Sequence, residues 1–112
     1  MTDFWRLSAR QTVDLLRQGE VTPLELIDDA LARIGQVGPA VNAMVTLCPD
    51  RARKHARQIM ARPLEERGPL AGLPVGVKDL NDVAGVRTTY GSPIYADHVP
   101  DRSDIMVERL GH

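Results

Sequence analysis

The chain has 112 residues, with 14 Lys and Arg against 15 Asp and Glu, for a formal net charge of -1. That balance argues against a dedicated DNA- or RNA-coating protein, which would be basic. A charged fraction of 26% belongs to a folded chain rather than a disordered one. A single cysteine, Cys48, excludes an intrachain disulfide and a cysteine-held zinc cluster.

Ser8 and Gln11 form a capping-box pattern ahead of Val13, Leu15 and Leu16, and Gly19 is placed to stop that helix. A second helix start is stronger. Thr22 can cap, Pro23 suits the first helical position, and Glu25 sits three residues after the cap. Val21 and Leu26 are spaced for a hydrophobic staple. Leu26, Ile27, Ala30, Leu31 and Ile34 make one apolar stripe, and Gly35 is the expected end. Residues 1–36 thus read as a helical pair.

Ala43 to Leu47 carries Val45 and Thr46 and reads as a short strand stopped by Pro49. Asp50 is placed to cap a third helix reaching about Met60, whose thin apolar face is Ala52, Ala56 and Ile59. Arg51, Arg53, Lys54, Arg57, Arg62 and Arg67 are read as a solvated face rather than a nucleic-acid site. Arg62 to Pro69, with two prolines and a glycine, is a loop.

Leu70 to Val77 is apolar and punctuated by Gly and Pro, which suits a buried strand and disfavours a helix. Val83 to Thr89 reads as a further strand with a bend or bulge at Gly85. Ser103 and Asp104 are expected to open a last helix through Leu110, with Gly111 as its cap. The order is helix, helix, strand, helix, strand, strand, helix. An α/β fold is expected, with residues 37–112 starting a mixed β-sheet flanked by helices.

Lys78 is the most informative position for chemistry. It follows an apolar strand directly, and strand ends in α/β sheets are where reactive residues collect. Partial burial there would disfavour its charged form and suit it to act as a base. The plain alternative is an ion pair with Asp79 or Asp82. Asp79 could orient Lys78, or bind backbone amides of the next loop. The structural role is favoured.

The run from Gly68 through Gly-Leu-Pro-Val-Gly-Val-Lys78-Asp79 to Gly85-Val-Arg-Thr-Thr-Tyr-Gly91-Ser92 resembles the amidase signature family. Members read Gly-Pro-Leu-x-Gly-Ile/Leu-Pro-Val-x-Val-Lys-Asp, followed by Gly-x-x-Thr-Thr-x-Gly-Ser. Thr22 to Leu26 resembles the family's early helix, Val41-Asn42-Ala43 its first strand, and Asp104 to Leu110 the helix after the motif. The resemblance covers nearly the whole chain and corresponds to about the first quarter of a member.

It implies amide hydrolysis or transfer through a Ser-Ser-Lys triad, with Lys78 matching the base, and a small non-peptide carboxamide as substrate. Asp79, Gly91 and Ser92 would support the site, with Thr88 and Thr89 on the pocket floor. No metal or organic cofactor is implied. The three serines here are Ser8, Ser92 and Ser103, and none stands in the Gly/Ser-rich context that supplies the family's two triad serines. The chain is therefore expected to be a fragment that holds the base, lacks the nucleophile and is inactive alone. Incomplete folding or homo-oligomerisation is expected of it.

Two alternatives stay open. One is a non-catalytic remnant or interaction module on this scaffold. The other is a piece of the A subunit of a tRNA-dependent amidotransferase. His55, His98 and His112 show no metal spacing and read as surface residues, and Cys48 as a buried thiol. No membrane span is present in the sequence, and Met1 to Arg6 has no apolar signal core. A cytoplasmic location is expected.

Overall fold

The structure, a computed structural model, describes residues 3–111. Contacts divide the chain into two compact units. One comprises Met1–Met44 with Pro49–Pro74, and the other comprises Val45–Cys48 with Val75–His112.

The first unit is helical. A 3₁₀ turn, Phe4–Arg6, precedes α1 (Ala9–Arg17). The capping box forms. Ser8 Oγ accepts the Gln11 N–H at 3.2 Å, and Gln11 Oε1 accepts the Ser8 N–H at 2.9 Å. Such a cap contributes about 1 kcal/mol. Gly19, at φ +73°, ends α1 as expected. The Gly19 N–H bonds the Leu16 carbonyl and the Glu20 N–H bonds the Leu15 carbonyl, the paired bonds of a Schellman motif.

α2 spans Pro23–Val41. Thr22 Oγ1 accepts the Glu25 N–H at 3.1 Å. Val21 and Leu26, the two ends of the staple, are both buried and join Leu16 in one core cluster, with Phe4 and Leu15 packed against it. Burying each of these aliphatic side chains is worth about 1.5–3 kcal/mol. The expected stop at Gly35 is not used. A glycine inside a helix costs only about 1 kcal/mol, and it ends one when it turns left-handed. Gly35 has no positive φ. The helix continues through Pro39 to Asn42, which takes φ 51°, ψ 42°, and there it stops. Val41-Asn42-Ala43 is accordingly a helix end, not a strand.

α3 is Pro49–Met60 and starts at Pro49 itself, one residue before the expected cap at Asp50. It lies against α2, with Ala56 and Ile59 buried. Arg53 Nε reaches Asp28 Oδ1 at 3.0 Å. Arg67 folds back to donate to the Arg62 and Met60 carbonyls at 3.1 and 3.3 Å, which serves the open end of α3. Gly72, at φ +94°, crosses so close to Pro23 and Leu16 that a Cβ would fall 2.8 Å from Pro23 Cγ.

The strands expected at 43–47, 70–77 and 83–89 are absent among the described residues, and with them the mixed sheet. The β contact found there is an isolated bridge between Val83 and Val86, closing a turn with Gly85 at φ +77°. Residues 73–78 run without regular structure, and Leu70, Val75, Val77 and Leu80 are exposed. A strand is stable only beside a partner that takes its N–H and C=O groups. No described segment pairs with this one, so its apolar pattern finds nothing to pack on.

Irregular backbone holds the second unit together. Gly85 and Thr88 donate to the Pro100 and His98 carbonyls at 3.0 and 2.9 Å. The last helix is α4 (Ile105–Gly111), and the side chains of Ser103 and Asp104 just before it reach back to the loop at 82–84. Ser103 Oγ accepts the Ala84 N–H at 2.9 Å and Asp104 Oδ2 the Asp82 N–H at 3.0 Å. Gly111 is the final residue of α4, not a cap beyond it. No described helix is long and apolar enough to cross a membrane.

Candidate active site

Lys78 ends the irregular apolar segment and begins a turn, its carbonyl accepting the Asn81 N–H at 2.9 Å. Its side chain is exposed, so these residues do not supply the expected desolvation. The uncovered segment before it is the reason. Among the described residues no carboxylate reaches salt-bridge distance of its amine.

Both neighbouring acids are engaged elsewhere. Asp79 Oδ1 accepts the Thr89 N–H at 2.9 Å, and Asp79 Oδ2 accepts the Thr89 hydroxyl. The Asp79 carbonyl takes the Tyr90 N–H at 2.9 Å. Donation from Thr89, first by its hydroxyl and then by its N–H, holds the Asp79 carboxyl below its usual range. Arg87 and the Gly91 N–H add to this, against an opposing effect of burial. Asp79 therefore binds the following loop and not Lys78.

Asp82 accepts the Tyr90 hydroxyl, and that bond is the main reason the phenol is pushed up to about 12. His98 Nε2 lies 3.3 Å from the same hydroxyl. With the phenol proton given to Asp82, the Tyr90 oxygen is left to accept from His98. Tyr95 stands edge-on to Tyr90, ring centroids 4.9 Å apart. Tyr90 itself has φ +53°, a strained setting for a bulky residue, which these contacts hold in place.

The two Thr residues before Tyr90, Thr88 and Thr89, are buried. Gly91, at φ +70°, donates its N–H to Thr89 Oγ1 at 3.2 Å. Ser92 donates its N–H to the Thr89 carbonyl and accepts the Ile94 N–H on Oγ at 3.3 Å, capping the 3₁₀ turn Pro93–Tyr95. The structure thus ties Asp79, Thr89 and Gly91 into one network, with Ser92 at its end. Lys78 directly precedes it in the chain, exposed and bonded through its backbone carbonyl.

The sequence bears little sign of the cluster of Asp82, Tyr90 and His98. The one pointer is the placement of two of the four aromatics, Tyr90 and Tyr95, in one stretch. His98 is half-buried rather than a free surface residue because the two tyrosines cover it. His55 is exposed, and His112 lies outside the described residues. Cys48 is exposed rather than buried, since the strand that would have sheltered it does not form. Among the described residues no group of three or more His, Cys, Asp or Glu is arranged to hold a metal ion.

Comparison with known proteins bears on this arrangement. The family model described as Amidase matches residues 25–112. The A subunit of the glutamyl-tRNA(Gln) amidotransferase of Roseiflexus sp. (strain RS-1) is 38% identical over 111 residues, covering 98% of this chain and 23% of the relative. The corresponding protein of Synechococcus sp. (strain CC9605) is 42% identical over 97 residues, 85% of this chain and 20% of the relative. A solved structure from work on a vestigial protein complex and the evolutionary origins of an s-triazine catabolic enzyme superposes with a TM-score of 0.86 at 30% identity. It covers 94% of this chain and 24% of that one. The chain spans about a quarter of the length of these relatives. With the family match reaching over most of its residues, the chain belongs to the amidase signature family.

Proposed function

We propose that this chain carries the base of an amide-hydrolysing site, with Lys78 as the proton acceptor. The observation that carries the reading is the state of Lys78. It sits on the family's lysine motif, exposed, and free of both neighbouring carboxylates. A serine hydroxyl is a weak nucleophile at neutral pH and needs an adjacent base. In the proposed reaction neutral Lys78 takes a proton relayed from the attacking serine. The serine oxygen bonds the amide carbon, and the amine leaves with a proton returned from the lysine. Water then releases the acid. Both serines would come from sequence other than these 112 residues. So would the strands that complete a mixed sheet on Leu70–Val77, and with them the desolvation of the lysine.

The substrate class under this reading is a small carboxamide, in the cytoplasm, and the complete protein could assemble as a homo-oligomer. A second reading has a specific observation behind it, the amidotransferase subunits that match along nearly the whole chain. There the same lysine would serve a step that releases ammonia for use by partner subunits. The two readings share the base and differ in the fate of the amine.

The test is a chimera in which this chain replaces the matching first quarter of the Roseiflexus relative. Treatment with a serine-directed fluorophosphonate should label the chimera, and Lys78→Ala should slow labelling by about 100-fold or more. The 112-residue chain alone should not label. Equal labelling of the chimera with and without Lys78 would sink the proposal. Ammonia release that appears only with the partner subunits present would favour the second reading.

A further inference from the structure

The first unit holds a shallow cleft of about 40 Å³ where the end of α1 meets the loop after α3. One wall is apolar, made of Val13 and Leu16 from α1 with Leu64 and Ala71. The polar wall carries two guanidinium groups, Arg17 and Arg67, and no acidic residue lines the cleft. The volume has room for about three water-sized groups, which is the size of a carboxylate.

We infer that this cleft binds a small aliphatic carboxylate, gripped by Arg17 and Arg67 with its tail on the apolar wall. The two arginines are held differently. Arg67 is half-buried and donates to the Arg62 and Met60 carbonyls from Nε and Nη2, at 3.1 and 3.3 Å. Its guanidinium is therefore fixed before any ligand arrives, which lowers the entropy lost on binding. Arg17 is exposed in the last turn of α1, and among the described residues it makes no hydrogen bond or ion pair. It can close on an anion without giving up a bond of the fold. Guanidinium groups match a carboxylate through charge and paired N–H donors. The apolar wall adds a preference for an acid with a short hydrocarbon tail over a bare inorganic anion. Every residue of the cleft belongs to the first unit, and Lys78 belongs to the second. The cleft is thus a site apart from the lysine motif, and either reading can fail without the other.

The test is a titration of the 112-residue chain with propionate, followed through the backbone amide resonances of Gly68 and Ala71. Propionate should move both resonances saturably, and the neutral isostere propionamide should not. Acetate, one methylene shorter, should bind about threefold more weakly. Arg17→Gln should weaken propionate by about threefold, the scale of an exposed ion pair. Ala71→Leu keeps both charges and fills the cleft, so it should abolish the saturable shift. Arg17→Gln breaks no bond of the fold, which keeps the test decisive if Ala71→Leu disturbs the packing. The inference is overturned if propionate gives no saturable shift, or if propionamide matches it. It is also overturned if Arg17→Gln binds as the wild type does, or if binding survives Ala71→Leu. Inorganic phosphate binding as tightly as propionate would mark a general anion patch and overturn the carboxylate assignment.

Discussion

Asp79 and Thr89 are joined twice. One carboxylate oxygen accepts the Thr89 N–H at 2.9 Å, and the other accepts its hydroxyl. Ten residues separate them, so this clasp closes the loop that carries the family's lysine at one end and its Thr-Thr pair at the other.

The clasp should open in acid. The Asp79 carboxyl is held below its ordinary value of 3.8 by Thr89. A depressed carboxyl contributes stability that is complete above 3.8 and is lost as pH falls through the lower folded value. The Thr89 amide resonance should therefore titrate only below 3.8, and Asp79→Asn should abolish that titration. A midpoint at or above 3.8 would contradict the assignment.

Tyr90 makes the opposite prediction at the alkaline end. Its phenol is pushed from 10.0 to about 12, first of all by the bond to Asp82. A raised group contributes stability that is complete below 10.0 and lost as pH rises through about 12. Carbon-13 resonances of the ring should place the Tyr90 transition well above 10.0. Asp82→Asn should move it down toward 10.0. A Tyr90 transition at 10.0 in the wild type would show that the bond is not made.

Two glycines should respond with opposite signs. At Gly72 a Cβ would meet Pro23 at 2.8 Å and Leu16 at 3.0 Å, and φ is +94°. Gly72→Ala should destabilise the first unit by about 1–3 kcal/mol. At Gly35, inside α2, a Cβ would meet nothing within 4 Å. Gly35→Ala should stabilise by about 1 kcal/mol. Urea denaturation of both variants measures the two shifts, and shifts of the same sign would refute the pair.

The helix starts are legible in the sequence because their signals are local. Ser8 with Gln11, and Thr22 with Pro23 and Glu25, satisfy backbone groups within one turn of themselves. Strands carry no such local proof. Leu70 to Val77 has the composition of a buried strand, yet its backbone needs a neighbour that these residues do not provide. The end of α2 is hidden for a related reason. Gly35 and Asn42 can both turn left-handed, and which one does so depends on packing against α3. At the site, the position of Lys78 is readable from the motif around it. The bond from Tyr90 to Asp82 is not, since a tyrosine at positive φ leaves no mark in a sequence.

The aromatic residues divide cleanly between the two units. Trp5, the only tryptophan, belongs to the first, where the Arg33 guanidinium of α2 lies 3.9 Å from its ring centroid. Both tyrosines belong to the second, beside the loop that follows Lys78. The chain is thus wired with two independent optical reporters. Indole fluorescence follows the helical scaffold and tyrosine absorbance follows the lysine loop. If the loop melts before the helices, the two signals will separate along one denaturation curve, with no label added.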